Sequence, residues 1–273
     1  MVVQKLRDLL IHKWLRRPYP LHVRLDQGRG MTVVMLHGIG ASGRGWRQVA
    51  RELEGSPVRL VVLDLLGFGD SPKPTDPWVS YSAEDHAHSV IATLRKRRVR
   101  GTMMIVGHSM GCLVAVEVAT LRPKLVRSLL LYEPPFYVGL PPKNRYRLRL
   151  KAYFALFNAL LKRPPKDPES FRRIQALVGR RYHFELTPEG WVPFERSLRN
   201  AIMQQTSLND LKQLSTPTQI LYGTRDKLVI NDKKGLFFDG EAEHVTSDQV
   251  REQHRISPKA SRLIAQLVRE QIG

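Results

Sequence analysis

The stretch Met103–Ala119, MMIVGHSMGCLVAVEVA, decides how this chain folds. It opens with four apolar residues, the length and character of a strand that is buried on both faces of a parallel sheet. The pattern Gly-x-Ser-x-Gly follows at Gly107, Ser109 and Gly111, and the apolar residues after it recur at helical spacing. Because glycine permits a sharp turn and close packing, the stretch predicts a strand, a tight turn with a serine at its apex, and a helix.

Other short apolar runs end in turns in the same way. They are Thr32–Leu36, Arg59–Leu63, Ser128–Tyr132 and Gln219–Tyr222. Segments with helical spacing lie between them, at Trp46–Leu53, Ala83–Leu94 and Lys259–Val268. Alternating buried strands and helices predict an α/β protein with a mostly parallel central sheet flanked by helices on both sides. We expect an antiparallel edge strand at Leu21–Leu25, before Gly28.

The alternation stops between residues 134 and 208. That segment contains no strand-like run, and its apolar residues, including Tyr153 and Phe157, recur at helical spacing. Prolines at 164, 165 and 168 interrupt it. We therefore predict a helical cap over residues 134–208, inserted into a core that consists of residues 19–133 and 209–273.

Residues 1–18 predict a separate basic amphipathic helix. Val3, Leu6, Leu10 and Trp14 follow helical spacing among lysines and arginines. Such a helix can lie on an anionic membrane surface as a peripheral contact. It can equally pack on the protein's own core or on a partner subunit, and the sequence leaves these alternatives open, together with the oligomeric state.

The charge of the chain is strongly positive. Its 273 residues include 44 Lys+Arg and 25 Asp+Glu, for a formal net charge of +19. Residues 1–30 carry seven basic and two acidic side chains, and residues 134–208 carry fourteen and five, so most of the excess lies in these two segments. No nucleic-acid-binding motif accompanies the charge, and we expect no nucleic-acid partner.

Three absences in the sequence favour a cytoplasmic location. No run reaches the roughly 18–20 apolar residues that a transmembrane helix needs. The first residues, MVVQKLRDLLIHKWLRRP, lack the apolar centre and the small-residue cleavage site of a secretory signal. The chain has one cysteine, Cys112, which cannot form an intramolecular disulfide.

Four motifs in this order closely resemble those of the α/β-hydrolase superfamily, in its lidded serine-esterase-like branch. Besides the serine turn, they are His37-Gly38 after an early strand, the turn formed by Asp64, Gly67, Gly69 and Ser71, and Tyr222-Gly223-Thr224-Arg225-Asp226. The similarity spans roughly residues 20–135 and 215–270. It implies the α/β-hydrolase fold, with the cap inserted after the sixth core strand.

The resemblance also implies a catalytic triad in the order Ser, acid, His. Ser109 would be the nucleophile and Asp226 the acid, with Glu133 as the alternative because some family members place the acid there. His244 and His254 both follow Asp226. We favour His254 as the base, because Ser257 and Pro258 after it predict the start of the last helix, and the family keeps its base just before that helix.

Acyl transfer also requires a site for the oxyanion. By the same resemblance, the backbone N–H groups of Ile39 and Met110 would form it. His37 in the early loop and the cap residues Tyr153 and Phe157 are candidate substrate contacts. No His, Cys or Asp cluster has metal-ligand spacing, so we expect neither a metal nor a cofactor.

Together these residues predict a serine hydrolase that cleaves a carboxylic ester or a related small acyl substrate through an acyl-enzyme. The same triad also serves C–C bond hydrolysis, perhydrolysis and acyl transfer, which the sequence does not separate. A non-catalytic ligand-binding protein of the same fold is an alternative of a different class. The identity of the substrate and the length of its acyl chain stay open.

Overall fold

The computed structural model describes most of the chain. The described residues are 9–15, 17–140, 144–162, 164–165, 167–174, 187–231, 237–238 and 242–272. The first eight residues of the predicted N-terminal helix and residues 175–186 of the predicted cap therefore lie outside the described part.

Seven strands of the described residues form one sheet. They are β1 (Val23–Gly28), β2 (Met31–Leu36), β3 (Val58–Leu63), β4 (Met103–His108), β5 (Val126–Tyr132), β6 (Thr218–Gly223) and β7 (Val245–Val250). Their spatial order is β1-β3-β2-β4-β5-β6-β7. The strand β1 pairs antiparallel with β3, and all the other pairs are parallel. The predicted α/β-hydrolase fold with a mostly parallel sheet is thus confirmed.

The α-helices lie on both faces of this sheet or in the insertion. They are α1 (Arg47–Glu52), α2 (Ala83–Lys96), α3 (Met110–Leu121), α4 (Asn144–Lys162), α5 (Pro168–Ile174), α6 (Trp191–Arg196), α7 (Ser207–Gln213) and α8 (Pro258–Ile272). The apolar side chains of α2 and α3 pack in one core layer, and those of α1 and α8 pack in the layer on the opposite face. Alternate residues of the central strands enter the two layers because successive side chains of a strand point to opposite faces.

The insertion between β5 and β6 contains α4 to α7 and a π-helical segment, Ser197–Met203. It follows the fifth strand of the described sheet, whereas the resemblance to the family predicted six strands before it. No earlier strand occurs within residues 9–15 and 17–22, and residues 1–8 lie outside the described part, so the place of the cap after a sixth core strand stays a prediction.

The described part of the N-terminal segment is a π-helical turn, Leu9–Trp14, and not an α-helix. Its backbone bonds span five and six residues, from Leu15 N–H to Leu10 C=O and from Arg17 N–H to Ile11 C=O, both 3.0 Å. The turn ends before Pro18, which has no backbone N–H to continue it. Within the described residues, no helix has the length and apolar character needed to cross a membrane.

Candidate active site

Ser109 occupies the turn between β4 and α3 in a strained conformation. Its backbone has φ 53° and ψ −125°, a conformation that residues other than glycine rarely adopt. The surrounding structure holds it there, because its N–H bonds to Tyr132 C=O at 3.0 Å and its C=O accepts from Cys112 N–H at 2.9 Å. The hydroxyl therefore lies at the carboxyl end of the sheet and at the first turn of a helix.

The two glycines of the serine motif are required by close backbone packing. A Cβ atom at Gly107 would lie 2.7 Å from the backbone nitrogen of Cys112, and one at Gly111 would lie 2.3 Å from the carbonyl oxygen of Leu36. Both distances are far inside van der Waals contact, and both partners are backbone atoms that cannot turn aside. The turn thus has no room for a side chain at either position.

His254 reaches Ser109 from the loop between β7 and α8. Its Nε2 atom lies 2.9 Å from Ser109 Oγ, although 145 positions separate the two residues. The predicted start of the last helix is confirmed, because Ser257 Oγ accepts the N–H of Ala260 at 3.1 Å and Pro258 is the first helical residue. This cap fixes the end of the loop that carries the imidazole.

Asp226 follows β6 and is bound on both of its oxygens. Oδ2 lies 2.6 Å from His254 Nδ1, and Oδ1 accepts the N–H groups of Leu228 and Val229 at 2.7 and 3.2 Å. Burial alone would raise the pKa of this carboxyl, but the charge and hydrogen bond of His254 and the further hydrogen bonds outweigh it and lower the pKa to about 2. Asp226 is therefore ionised and able to stabilise an imidazolium.

The two alternatives left open by the sequence have different positions. His244 Nε2 lies 3.0 Å from Leu211 C=O, so this ring is engaged with α7 and not with Ser109. Glu133 lies next to the site, yet His254 Nδ1 donates its hydrogen bond to Asp226. The structure thus brings together Ser109, His254 and Asp226, and each of these residues is at most 7% exposed.

The predicted oxyanion residues lie on the two loops next to Ser109. Met110 is the first residue of α3, where the backbone N–H has no partner within the helix. Ile39 follows Gly38, and a Cβ atom at Gly38 would lie only 2.9 Å from Ser109 Cβ. The two loops are therefore in direct contact beside the hydroxyl.

His37 supports its own loop through both ring nitrogens. Its ring is buried, Nε2 accepts the N–H of Leu65 at 2.9 Å, and Nδ1 lies 2.7 Å from Gly38 C=O. Burial lowers the pKa of His37 to about 4, so the ring is neutral at neutral pH. Both nitrogens have partners within the chain, and substrate contact by His37 stays a prediction.

The two predicted cap contacts lie on α4, above the loop that carries Asp226. The hydroxyl of Tyr153 bonds to the carbonyl oxygen of Lys227, directly after Asp226. The rings of Tyr153 and Phe157 lie 5.6 and 6.2 Å from the ring of Tyr137. Both side chains are half-buried, so α4 turns this face toward the core, and substrate contact by either residue stays a prediction.

The sequence analysis did not predict the positions of two residues that lie next to His254 and Asp226. The ring of His108 lies 5.1 Å from that of His254 and is tilted by 41° against it. Burial lowers the pKa of His108 well below 6.5, so it is neutral beside the imidazole. Glu133 is fully buried beneath Asp226. The signal in the sequence was their position, since each follows a run of apolar strand residues at the carboxyl edge of the sheet.

Two groups of described side chains have the residue types of a metal site. One is His22, Asp64 and Asp70, where Arg24 pairs with both aspartates. Asp64 also accepts the N–H groups of Gly43 and Asp70, as expected for a structural turn residue. The other group is Glu133, Asp226 and His254, whose atoms serve the hydrogen bonds described above. The absence of a metal and of a cofactor stays a prediction.

The fold and this arrangement define the scaffold of a hydrolase. The chain belongs to the α/β-hydrolase family, whose family model matches residues 33–263. It is 35% identical over 107 residues to probable lysophospholipase BODYGUARD 4 of Arabidopsis thaliana, covering 39% of this chain and 25% of that protein. It is 25% identical over 211 residues to lipase 1 of Psychrobacter immobilis, covering 73% of this chain and 63% of that protein.

The likeness to solved structures extends over most of the chain. A putative acyltransferase from Salmonella enterica superposes with a TM-score of 0.70 at 20% identity, covering 92% of this chain and 91% of that one. At this identity the likeness concerns the fold. The chain spans about a quarter of the length of the BODYGUARD relatives.

Proposed function

We propose that this protein is a serine hydrolase that cleaves a carboxylic ester or a related small acyl substrate. The observation that carries the proposal is the continuous line of hydrogen bonds from Ser109 Oγ through His254 to Asp226, with distances of 2.9 and 2.6 Å. A serine hydroxyl is a weak nucleophile, and an imidazole in this position removes its proton as attack proceeds. The names of the lysophospholipase and lipase relatives support an ester as the substrate.

In the first half of the reaction, Ser109 Oγ bonds to the carbonyl carbon and passes its proton to His254 Nε2. The carbonyl oxygen becomes an oxyanion, which the N–H groups of Ile39 and Met110 would hold. The carbon–oxygen bond to the leaving group then breaks, and His254 returns the proton to the leaving alcohol. Asp226 stabilises the imidazolium in between.

In the second half, water attacks the acyl-enzyme while His254 takes one of its protons. The bond to Ser109 Oγ breaks, the serine regains its proton, and the acid leaves. An acceptor other than water would turn the same cycle into acyl transfer or perhydrolysis. A carbon leaving group would make it a C–C bond hydrolysis.

A fluorophosphonate probe and a series of aryl esters test this proposal. We expect the probe to label the protein at Ser109, and the Ser109→Ala variant to lose both labelling and ester turnover. Ser128→Ala is the matched control, because this buried serine lies on β5 with no hydrogen-bond partner in the described structure. Labelling that survives in Ser109→Ala would overturn the assignment. Ester binding without turnover in the wild type would favour the non-catalytic alternative.

We also propose that the N-terminal segment contacts an anionic membrane surface. Leu10, Trp14 and Leu15 are exposed to 57%, 72% and 55%. The lining of a cavity of about 860 Å³ next to this segment includes Lys13, Arg17, Arg95 and Arg122, together with the acidic Glu84 and Asp85. Exposed apolar side chains beside a cluster of cations suit an interface between acyl chains and anionic headgroups. The triad residues do not line this cavity.

Sedimentation with phosphatidylglycerol-containing and pure phosphatidylcholine vesicles tests this contact. The Ser109→Ala protein is used, so that no lipid is hydrolysed. We expect binding to the anionic vesicles that persists at about 0.2 M salt, because apolar insertion does not depend on counterion release. Trp14→Ala should weaken it, whereas Leu156→Ala on the exposed face of α4 should not. Equal binding of Trp14→Ala and its parent would contradict the contact.

A further inference from the structure

A second carboxyl group lies beneath the triad. Glu133 is the first residue after β5, its side chain is fully buried, and its backbone has φ 56°. One of its oxygens lies within 4.8 Å of both a carboxylate oxygen of Asp226 and a ring nitrogen of His254. The buried site therefore contains a further ionisable group beside Ser109, His254 and Asp226.

The sheet itself places this carboxyl. The N–H of Glu133 bonds to Leu221 C=O at 2.9 Å, which continues the ladder between β5 and β6. The side chain then occupies the space beside Gly223, where a Cβ atom would lie 2.0 Å from Glu133 Oε1. Any residue other than glycine at this position of β6 would displace the carboxyl.

Two carboxyl groups at this distance in a buried site share their charge unequally. Asp226 has the imidazole and two N–H groups as partners, whereas no side chain of the described residues donates a hydrogen bond to Glu133. Burial and the charge of Asp226 raise the pKa of Glu133 to about 10. At neutral pH the proton therefore resides on Glu133 and the negative charge on Asp226.

We propose that Glu133 is a positioning residue, whose carboxylic O–H donates to Asp226 and which stands in as a second carboxylate for His254 when Asp226 is removed. The proposal rests on the proposed function, since it needs His254 to act as the base. No covalent step is involved. When Asp226 is replaced by Asn, Glu133 releases its proton to solvent and becomes the anion that faces the imidazole.

The other titratable groups around Glu133 do not change charge in its place. Burial raises the pKa of the Cys112 thiol on α3 well above its ordinary value, and it raises the pKa of the Tyr132 hydroxyl above its usual range. Glu252, after β7, adds a negative charge that favours the protonated form of Glu133. Asp226 and His254 are the remaining two named neighbours, each with an atom within 4.8 Å of Glu133.

The pH dependence of stability tests the protonation without any reference to catalysis. The folded state keeps the proton of Glu133 up to about pH 10, whereas the unfolded state loses it near pH 4.3. Stability therefore falls as pH rises between these values. We expect the folding equilibrium constant of the wild type to fall about tenfold per pH unit relative to Glu133→Gln between pH 7 and 9. Glu252→Gln, the matched control, should keep the wild-type slope.

Urea unfolding at several pH values measures how the free energy of unfolding depends on pH. An equally steep dependence in Glu133→Gln and in the wild type would overturn the protonation of Glu133. This result would be independent of the proposed function, which the Ser109→Ala experiment decides. If the pH dependence is lost in Glu133→Gln, the same measurement also shows that the variant folds, because the free energy of unfolding is read from its folding transition.

Ester turnover tests the second part. We expect Asp226→Asn to lose about 10²-fold in kcat, and Asp226→Asn/Glu133→Gln to lose about 10⁴-fold, the loss typical of a triad without its acid. Asp226→Asn/Glu252→Gln should match Asp226→Asn alone, since Glu252 is not placed to face His254. If Asp226→Asn and Asp226→Asn/Glu133→Gln turn over the ester equally fast, the proposal that Glu133 takes the place of Asp226 is overturned. Circular dichroism of each variant confirms that the comparison is made on folded protein.

Discussion

The carboxyl edge of the sheet and the cap helix α4 differ in how far their side chains are buried. Ser109, Asp226 and His254 are each less than 8% exposed, on loops that are fixed by the strands before them. The cap helix α4 instead exposes Leu148 to 72% and Leu156 to 61%. Apolar burial fixes the first region, and much of the second faces solvent.

The cap is attached to the core through buried apolar side chains, among them Phe194, Leu198 and Leu208, and through side chains that donate to backbone carbonyls. Arg149 donates to Val229 C=O at 3.1 Å, and Arg196 donates to the carbonyls of Asp76 and Val79 at 2.6 and 2.7 Å. Such bonds need correct geometry but little apolar surface. Ser109, Asp226 and His254 are thus built into the core, whereas exposed positions of α4 can change without disturbing their packing.

The largest expected effect compares the loss of the catalytic base with the loss of one contact between cap and core. His254→Ala removes the base, and we expect kcat for an aryl ester to fall by about 10⁴-fold or more. Arg149→Ala removes one attachment of the cap and should change mainly KM. Steady-state kinetics on both variants check this. A His254→Ala enzyme within tenfold of the wild type would end the assignment of the base.

A pair of glycine substitutions compares the packing of the two regions. Gly111→Ala places a Cβ 2.3 Å from Leu36 C=O, whereas Gly190→Ala, before α6, meets its nearest atom, Thr187 Oγ1, at 3.2 Å. We expect the first to lower the free energy of unfolding by about 4 kcal/mol or more and the second by less than about 1 kcal/mol. Urea unfolding measures both. Similar losses would show that the cap is packed as tightly as the core.

Acid should loosen the contact between the core and the cap. His86 on α2 is fully buried, and its Nε2 lies 3.1 Å from Ser197 Oγ in the insertion. Burial lowers its pKa to about 3, so the folded state excludes a proton that the unfolded state binds below about pH 6.5. Stability is therefore complete above pH 6.5 and is lost as pH falls toward 3. The loss at pH 5 is about 2 kcal/mol.

His86→Phe should remove this part of the pH dependence. The difference between the unfolding free energies of the variant and the wild type, measured at pH 7 and at pH 5, isolates His86 from His37 and the other histidines. A difference that stays constant between the two pH values would contradict the assignment of acid sensitivity to this contact.

The smallest effect concerns two neighbouring positions on α4. Phe157 is half-buried against Tyr137, whereas Leu156 next to it is mostly exposed. We expect Phe157→Ala to lower kcat/KM for a long acyl ester by about fivefold to tenfold, the effect of losing one apolar contact. Leu156→Ala should leave it unchanged. Equal effects on a short and a long ester would place the acyl site elsewhere.

The sequence predicted the core well because its signals are local. An apolar run, a glycine turn and a helical repeat each lie within about fifteen residues, so β4, Ser109 and α3 can be derived from one stretch. The position of His254 followed from the capping pattern of Ser257 and Pro258 after it. The triad geometry then results from the parallel sheet, which brings the carboxyl ends of its strands to one edge.

The sequence failed where the answer depends on strand register. Glu133 and Asp226 are 93 positions apart, and their proximity follows from the pairing of Tyr132 with Leu221, which no local pattern encodes. The same limit applies to His37, whose partner Leu65 N–H belongs to another loop. A histidine with both nitrogens bound has the same sequence signal as one that faces a ligand.

The two outer strands have a consequence for how copies of this protein meet. On one side β1 carries Arg24 and Asp26, and on the other β7 reads VTSDQV, with four of its six residues exposed. Within the described residues neither outer strand is paired on its outer side, and such an edge offers its backbone groups to a second sheet. Polar and charged side chains along an edge oppose such joining. We therefore expect concentrated solutions to resist sheet-to-sheet aggregation, even though the interior of the same sheet is almost wholly aliphatic.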